Sequence, residues 1–216
     1  SQLIHMQPYQ KAFTLLLALV SELRADGHPV SVLDLGGGLG ISYHEGDSSL
    51  AISDYCGSLN ELLKDWDGKV ILEPGRSLVA ESGLLVSKVI YIKEGHERTF
   101  CILDTAMNDL IRPSMYDATH ELIAEQPAAE QATYDLVGPV CETGDTFARN
   151  YQMSKLAEGD LVAFSCAGAY GAVMASTYNS RLLVPEVLVS GKHHHVIRAR
   201  QSYQELISAD DIPGWL

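Results

Sequence analysis

The chain has 216 residues, of which 46% are hydrophobic and 20% charged, a composition typical of a globular protein with one or two domains. Its 15 basic and 28 acidic residues give a formal net charge of −13, which argues against nucleic acid as a partner. The longest early apolar run, residues 15–20, is shorter than the ~20 residues of a membrane span, and the four cysteines lack CxxC spacing, which favours a reducing, cytoplasmic compartment.

The first part of the chain alternates predicted helices with short buried strands. Apolar residues recur at helical spacing over residues 9–23, and a strand over 30–35 runs directly into the glycine-rich segment 36–40. A second helix, with Ser48 as its candidate cap, precedes a strand over 69–72. This order of strand, glycine loop, helix and strand indicates a parallel sheet or barrel.

Beyond about Gly83 the pattern changes to strands joined by polar or glycine-rich turns. Strands are predicted over residues 84–93, 99–104, 135–140 and 160–167. The segment 115–133 is polar, alanine-rich and aperiodic, and therefore predicts a long loop. We expect an antiparallel β domain in this half, whereas two βα units are too few to close a barrel in the first half.

Two loops that follow predicted strands are candidates for binding an anion. The glycines of segment 36–40 allow backbone N–H groups to converge on a phosphate, although a plain tight turn is an equal alternative. The spacing matches neither a dinucleotide fingerprint nor a P-loop. The segment Glu73-Pro74-Gly75-Arg76 ends a barrel-type strand, where Glu73 either pairs with a protonated pyridine nitrogen or forms a structural ion pair with Arg76.

Further candidates lie in the second half. Arg112 precedes a proline, which predicts an extended loop, and with Tyr116 it is able to grip a carboxylate unless it is an ordinary surface arginine. Cys141 lies beside Glu142 in a loop, and the neighbouring carboxylate disfavours a thiolate, so a proton donor is favoured over a nucleophile, with simple packing as the alternative. Tyr170, between small residues, either reaches a ligand or packs in the core.

The three consecutive histidines His193 to His195 do not predict a metal site. Successive residues of a strand point to opposite faces, so the three side chains cannot converge on one ion. We expect them on the surface, and no other cluster in the sequence has the ligand spacing of a zinc site.

Taken in order, these segments resemble the carboxy-terminal half of the diaminopimelate decarboxylases, in the alanine-racemase-like group of pyridoxal-phosphate-dependent enzymes. Five segments occur in the family's order and spacing: LDLGGGLGISY, LEPGRSLVAESG, DTAMNDLIRPSMYDATH, LVGPVCETGD and GAYGAVMASTYNSR. Ser1-Gln2 resembles the tail of the family's His-Ile-Gly-Ser-Gln segment, which predicts that the chain begins inside the barrel. Thr105-Ala106 departs slightly from the family's frequent Ala-Gly.

The resemblance implies a fold and partners. Residues 1–83 are expected to form the last βα units of a (β/α)8 barrel that binds pyridoxal phosphate. Residues 84–216 are expected to form an antiparallel β-sandwich or barrel domain, with 171–216 packing back towards the barrel. The family also implies a homodimer with shared active sites, a missing amino-terminal half, and exposed apolar faces on the incomplete barrel.

The resemblance also implies site residues. The cofactor is expected to contact six residues of the two loops and one tyrosine, namely Gly37, Gly38, Glu73, Pro74, Gly75, Arg76 and Tyr170. Glu73 is expected to face the pyridine nitrogen, and the remaining loop residues to hold the phosphate. The substrate is expected to contact Arg76, Arg112 and Tyr116 through its remote carboxylate, Glu142 through its remote ammonium, and Tyr170. Cys141 of the partner subunit is expected to return a proton to the carbon that loses CO2.

The family's cofactor-binding lysine lies in a context like Tyr-Ala-Xaa-Lys-Ala-Asn, which surrounds no lysine of this chain. The covalent lysine is therefore expected in the missing amino-terminal half, and the chain alone is expected to be inactive. The predicted reaction of the whole enzyme converts meso-2,6-diaminopimelate to L-lysine and CO2. The alternatives are a decarboxylase of another basic amino acid or of carboxynorspermidine, and a non-catalytic dimerisation or regulatory module.

Overall fold

The computed structural model describes residues 1–44 and 46–215, and the chain divides into two compact units. The first unit comprises Ser1–Leu84 and Ser165–Ala169, and the second comprises Leu85–Phe164 and Tyr170–Leu216. Within the described residues, no helix combines the length and the apolar character that crossing a membrane demands.

The described part of the first unit contains two helices longer than ten residues, two short parallel strands and a short third helix. Their bounds are α1 Met6–Ala25, β1 Val32–Asp34, α2 Ile52–Leu62 and β2 Lys69–Ile71, followed by the short helix α3 Arg76–Val79. In register, Leu33 of β1 lies opposite Val70 of β2. The core joins both helices to β1, since the rings of Tyr9 and Tyr55 meet edge to face at 5.1 Å between centroids and Leu33 is buried in the same cluster.

The predicted helices and strands of this unit are confirmed, with one correction at a helix start. The cap of α2 is Ala51, not Ser48, and the cap makes no side-chain hydrogen bond. Ala51 has the extended backbone of a cap residue, with φ −62° and ψ 137°. The first turn of α2 thus lacks the side-chain acceptor that a serine at this position would supply.

The second unit is built on a six-stranded sheet in the order β5-β8-β3-β4-β6-β7. The bounds are β3 Leu85–Glu94, β4 Thr99–Leu103, β5 Leu122–Ala124, β6 Gln131–Val137, β7 Thr146–Ser154 and β8 Leu161–Phe164, with helix α4 Arg112–Tyr116 between β4 and β5. Its core is fully buried and includes Val89, Leu103, Leu136 and Phe164. Two 3-10 turns, Ala172–Met174 and Tyr178–Ser180, follow the sheet.

The sheet departs from the prediction in three respects. It is mixed, because β4 and β6 pair in parallel while the other pairs are antiparallel. The long connection 104–130 allows the chain to re-enter the sheet in the same direction. The predicted loop 115–133 contains β5 and the start of β6, and β7 was missed because a bulge near Asn150, whose φ is +51°, interrupts the alternation of apolar residues.

The second unit ends in a hairpin of β9 Glu186–Ser190 and β10 His193–Arg198, followed by α5 Tyr203–Ile207. All three histidines of β10 are exposed, as the sequence predicted. Among the described residues no group of three or more His, Cys, Asp or Glu side chains is placed to hold a metal ion.

Candidate active site

The two predicted cofactor loops lie side by side in the first unit. Each follows one of the parallel strands, and the carboxyl ends of parallel strands meet at one edge of the sheet. The backbone N–H of Glu73 donates to the carbonyl oxygen of Gly36 at 2.8 Å. A methyl group on Gly37 would overlap the carbonyl oxygen of Glu73, so only glycine allows this approach. The structure therefore brings the glycine segment and the carboxylate segment together.

Three features of the glycines in these loops bear on anion binding. No heavy atom lies within 4 Å of the position that a Cβ would take on Gly36 or Gly75, so both glycines border open space. Gly38 has a φ of +85°, a conformation that favours glycine. In the part of the chain that the structure describes, the N–H groups of Gly37, Gly38 and Gly75 donate to no protein acceptor. Backbone N–H groups without a protein acceptor are suited to an anion.

Arg76 opens α3 beside these loops. Its guanidinium donates a hydrogen bond from Nη1 to the hydroxyl of Tyr43. Tyr43 is buried with Ile41, Ala80 and Ala169, so its hydroxyl is a fixed acceptor for the arginine. No role for Tyr43 is predicted from the sequence, although it lies within a segment that carries the family resemblance. A sequence motif names residues but not their contacts, and the contact between Tyr43 and Arg76 forms only when the chain folds.

Arg112 and Tyr116 lie on α4 in the second unit. Arg112 is the first residue of this helix and not part of an extended loop, because Pro113 occupies an early helical position where the missing N–H costs nothing. The surface alternative is wrong as well, since Arg112 is only 7% exposed. Its Nη1 lies 2.8 Å from Nε2 of the buried His120. An arginine only donates, so His120 accepts through Nε2 and carries its proton on Nδ1.

Tyr116 is 62% exposed and lies one helical turn after Arg112, which is held in place by His120. An oriented guanidinium with a phenol on the same short helix is suited to binding a carboxylate. The contact with His120 was not predicted, because nothing in the sequence distinguishes a histidine that orients an arginine from a histidine that packs.

The Cys141 loop lies between β6 and β7. The predicted strand 135–140 ends early, at Val137, so the loop begins at Gly138. Cys141 and Glu142 are exposed, and the backbone N–H of Glu142 donates to the carbonyl of Val140 at 2.8 Å. The exposed thiol contradicts a simple packing role for Cys141. The loop presents a thiol and a carboxylate to the surroundings on a closed, hydrogen-bonded turn.

The buried carboxylate of Asp145 forms hydrogen bonds with the backbone of the same loop. Asp145 is 2% exposed and accepts backbone N–H groups of Met107 and Val140, each at 2.7 Å. Burial raises the pKa of this carboxyl, while the N–H groups of Val140 and Met107 and the charge of Arg181 act in the opposite direction. Asp145 lies within the recognised CETGD segment, but the sequence alone shows none of its partners.

Tyr170 has a left-handed backbone, with φ +59°, and is 37% exposed. The core alternative is therefore wrong. A positive φ at a residue with a bulky side chain costs of the order of 1–2 kcal/mol and occurs at functional sites as well as in turns. The predicted residues thus form two groups, one in each unit: Gly37, Gly38, Glu73, Pro74, Gly75 and Arg76 in the first, and Arg112, Tyr116, Cys141, Glu142 and Tyr170 in the second.

Comparison with known proteins identifies similar sequences and folds. The family model described as "Pyridoxal-dependent decarboxylase, C-terminal sheet domain" matches residues 14–168. Diaminopimelate decarboxylase of Zymomonas mobilis is 46% identical over 100% of the chain and 52% of the relative, and that of Pseudomonas aeruginosa is 45% identical over 98% and 51%. The chain spans about half the length of the curated relatives it matches.

Solved structures of diaminopimelate decarboxylases are also similar to this chain. The crystal structure of diaminopimelate decarboxylase from M. jannaschii has a TM-score of 0.95 and 37% identity, covering 100% of this chain and 51% of that one. The Helicobacter pylori enzyme complexed with L-lysine has a TM-score of 0.90 and 39% identity, with coverages of 97% and 52%. A lysine/ornithine decarboxylase from Vibrio vulnificus is less similar, with a TM-score of 0.76 and 28% identity over 83% of this chain and 49% of that one.

Proposed function

The chain belongs to the pyridoxal-dependent decarboxylase family, and on that premise we propose that it forms the carboxy-terminal half of an enzyme that converts meso-2,6-diaminopimelate to L-lysine and CO2. One observation carries the choice of substrate. Arg112 is held in place beside His120, and the same unit presents the exposed pair Cys141 and Glu142. A substrate with a second carboxylate and a second ammonium needs both features, whereas a simple cationic tail needs no oriented arginine.

The loops of the first unit support a site for pyridoxal phosphate. When bound, this cofactor supplies an electron sink for the electron pair that remains when CO2 leaves. In the proposal, the N–H groups of Gly37, Gly38 and Gly75, together with Pro74 and Arg76, hold the phosphate. The carboxylate of Glu73 accepts a hydrogen bond from the pyridine nitrogen and keeps it protonated.

The second unit supports the substrate and proton-transfer roles. Arg112 and Tyr116, with Arg76, bind the carboxylate remote from the reacting carbon, and Glu142 binds the remote ammonium. The Cys141 thiol donates a proton to the carbon that has lost CO2, and Tyr170 contacts both cofactor and substrate. The exposure of the Cys141 loop supports a site shared between two subunits, because an exposed loop tip is available to a neighbouring molecule.

The proposal includes an amino-terminal half that completes a (β/α)8 barrel and supplies the covalent lysine, in a cytoplasmic homodimer. The exposure of the parallel strands supports the existence of this amino-terminal half. Val70 and Ile71 of β2 are 37% and 44% exposed, whereas parallel strands are normally covered on both faces. The relatives' additional length, about as long again as the matched part, provides the chain for such a cover.

The substrate proposal is tested by incubating the full-length protein with pyridoxal phosphate and a panel of amino acids. We expect lysine and CO2 from meso-2,6-diaminopimelate, and no turnover by the 216-residue chain alone, because it contains no lysine in the family's cofactor-binding context. Chromatography of the amine products and release of labelled CO2 provide the measurement. Turnover of ornithine, arginine or carboxynorspermidine without turnover of diaminopimelate would contradict the proposal, and no turnover of any amine would favour the regulatory module.

Gly37→Ala is expected to weaken cofactor binding and to destabilise the protein by about 1–3 kcal/mol, because the added methyl group overlaps the carbonyl oxygen of Glu73. Gly57→Ala is the matched control: Gly57 lies in α2 with nothing within 4 Å of its added Cβ, so the same substitution is expected to stabilise by about 0.5–1 kcal/mol. Urea unfolding and titration with pyridoxal phosphate measure both effects. Equal stabilities for the two variants would rule out the close approach of the two loops.

A further inference from the structure

The Asp145 carboxylate connects two segments that are distant in sequence. Its Oδ1 accepts the backbone N–H of Met107 and its Oδ2 accepts that of Val140, both at 2.7 Å. Each oxygen therefore serves a different segment. Because the side chain is 2% exposed, water does not compete effectively for either bond.

The two segments carry the proposed binding and proton-transfer groups. Val140 directly precedes Cys141, and Met107 lies in the turn that leads into α4. A second contact joins the same segments, since a Cβ on Gly144 would lie 2.5 Å from Oγ of Ser114, inside α4. Two points of contact fix both the distance between the segments and their relative orientation.

The Asp145 carboxylate also lies directly against Gly138. A methyl group on Gly138 would overlap both carboxylate oxygens of Asp145, and the N–H of Gly138 donates to the Asp145 carbonyl at 3.0 Å. A carboxamide has one acceptor oxygen, so asparagine can satisfy only one of the N–H groups of Met107 and Val140. Its NH2 group would face the other N–H, and one segment would have to move.

We propose that Asp145 is a positioning residue that fixes Cys141 and Glu142 relative to Arg112 and Tyr116. The inference rests on the proposed function, which gives these four side chains their roles. If each active site is shared between subunits, Asp145 joins the proton-donating loop of one site to the carboxylate-binding helix of the other. A change at Asp145 then alters proton transfer and substrate binding together, although the residue touches neither substrate nor cofactor.

The test compares Asp145→Asn with Asp135→Asn in the full-length holoenzyme. Asp135 is a matched control because it is also 2% exposed and also accepts a backbone N–H, from Asn150 at 2.9 Å, together with Arg98 at 3.1 Å. We expect kcat to fall about 10²-fold in Asp145→Asn, the effect of misplacing a reacting group by about 1 Å, with KM raised as well. Asp135→Asn is expected to retain wild-type kcat and KM at a temperature where both variants are folded.

Two readouts are independent of turnover. Hydrogen exchange is expected to accelerate in Asp145→Asn at the Met107 or the Val140 amide, whichever loses its acceptor, and to stay unchanged at both in Asp135→Asn. The rate at which iodoacetamide alkylates Cys141, resolved by peptide mass spectrometry, is expected to change in Asp145→Asn only. Cys56 is an exposed internal reference on α2 whose rate is expected to stay constant. Wild-type exchange and alkylation in a folded Asp145→Asn protein overturn the inference.

A second pair of variants decides the matter if Asp145→Asn does not fold. Gly144→Ala places its Cβ against Oγ of Ser114, and is expected to lower kcat and alter Cys141 alkylation. Adding Ser114→Ala removes that oxygen and is expected to restore both. Absence of any effect, or absence of rescue, overturns the positioning role.

Failure of the proposed function gives a different result. Full turnover by Cys141→Ala would remove the proton-donor role of Cys141, whereas the hydrogen-exchange and alkylation results for Asp145→Asn would be unaffected.

Discussion

Cys141→Ala in the full-length protein is expected to lower kcat by about 10²–10⁴-fold, the usual contribution of a positioned general acid. The thiol is exposed on a loop whose backbone is closed by hydrogen bonds, so it is available to a substrate without rearrangement. The absorption spectrum of the bound cofactor is expected to stay unchanged, because the proposed cofactor contacts lie elsewhere. Steady-state kinetics and spectra of the same preparations provide the measurement.

The cysteines of this chain offer controls for that experiment. Cys56 is also exposed but lies on α2, and Cys56→Ala is expected to retain wild-type kcat. Burial, and to a smaller extent the charge of Asp160, raise the pKa of Cys101 to about 12, so this thiol stays protonated and unreactive at neutral pH. Full activity of Cys141→Ala would mean that another group returns the proton.

The elements of the first unit could be predicted because their signals are local. The helical period of α1 and the short apolar run of β1 predict structure from neighbouring residues alone, and both elements are present. The location of Gly37 against Glu73 also follows, once two parallel strands place their carboxyl ends at one edge. Local sequence patterns and the parallel pairing of β1 and β2 were therefore sufficient to predict the elements of this unit and the approach of its two loops.

Arg112 shows where a local signal fails. A proline biases the preceding residue towards extended backbone, but the bias is modest and burial against His120 outweighs it. The bulge near Asn150 hides β7 in the same way, because a sequence pattern of period two assumes a regular strand. The role of Asp145 had no sequence signal, since its two acceptor bonds go to segments that meet only in the folded protein.

Arg112→Lys is expected to raise KM for meso-2,6-diaminopimelate by about 10–100-fold, equivalent to losing a charged hydrogen bond of roughly 1.5–3 kcal/mol. Lysine presents a point charge, so it cannot contact His120 and hold both oxygens of a carboxylate at once. Arg149→Lys, at an exposed position on β7, is the matched control and is expected to retain the wild-type KM. Initial rates over a range of substrate concentrations provide the measurement.

Inhibition by two amines tests whether the loss at Arg112 concerns the carboxylate itself. L-Lysine retains the carboxylate remote from the reacting carbon, whereas cadaverine has the same two amines and no carboxylate. Arg112→Lys is therefore expected to weaken inhibition by lysine as much as it raises KM, and to leave inhibition by cadaverine unchanged. Equal losses for both inhibitors would indicate general damage to the site. An unchanged KM would mean that the contact with His120 serves the stability of the second unit and not the recognition of substrate.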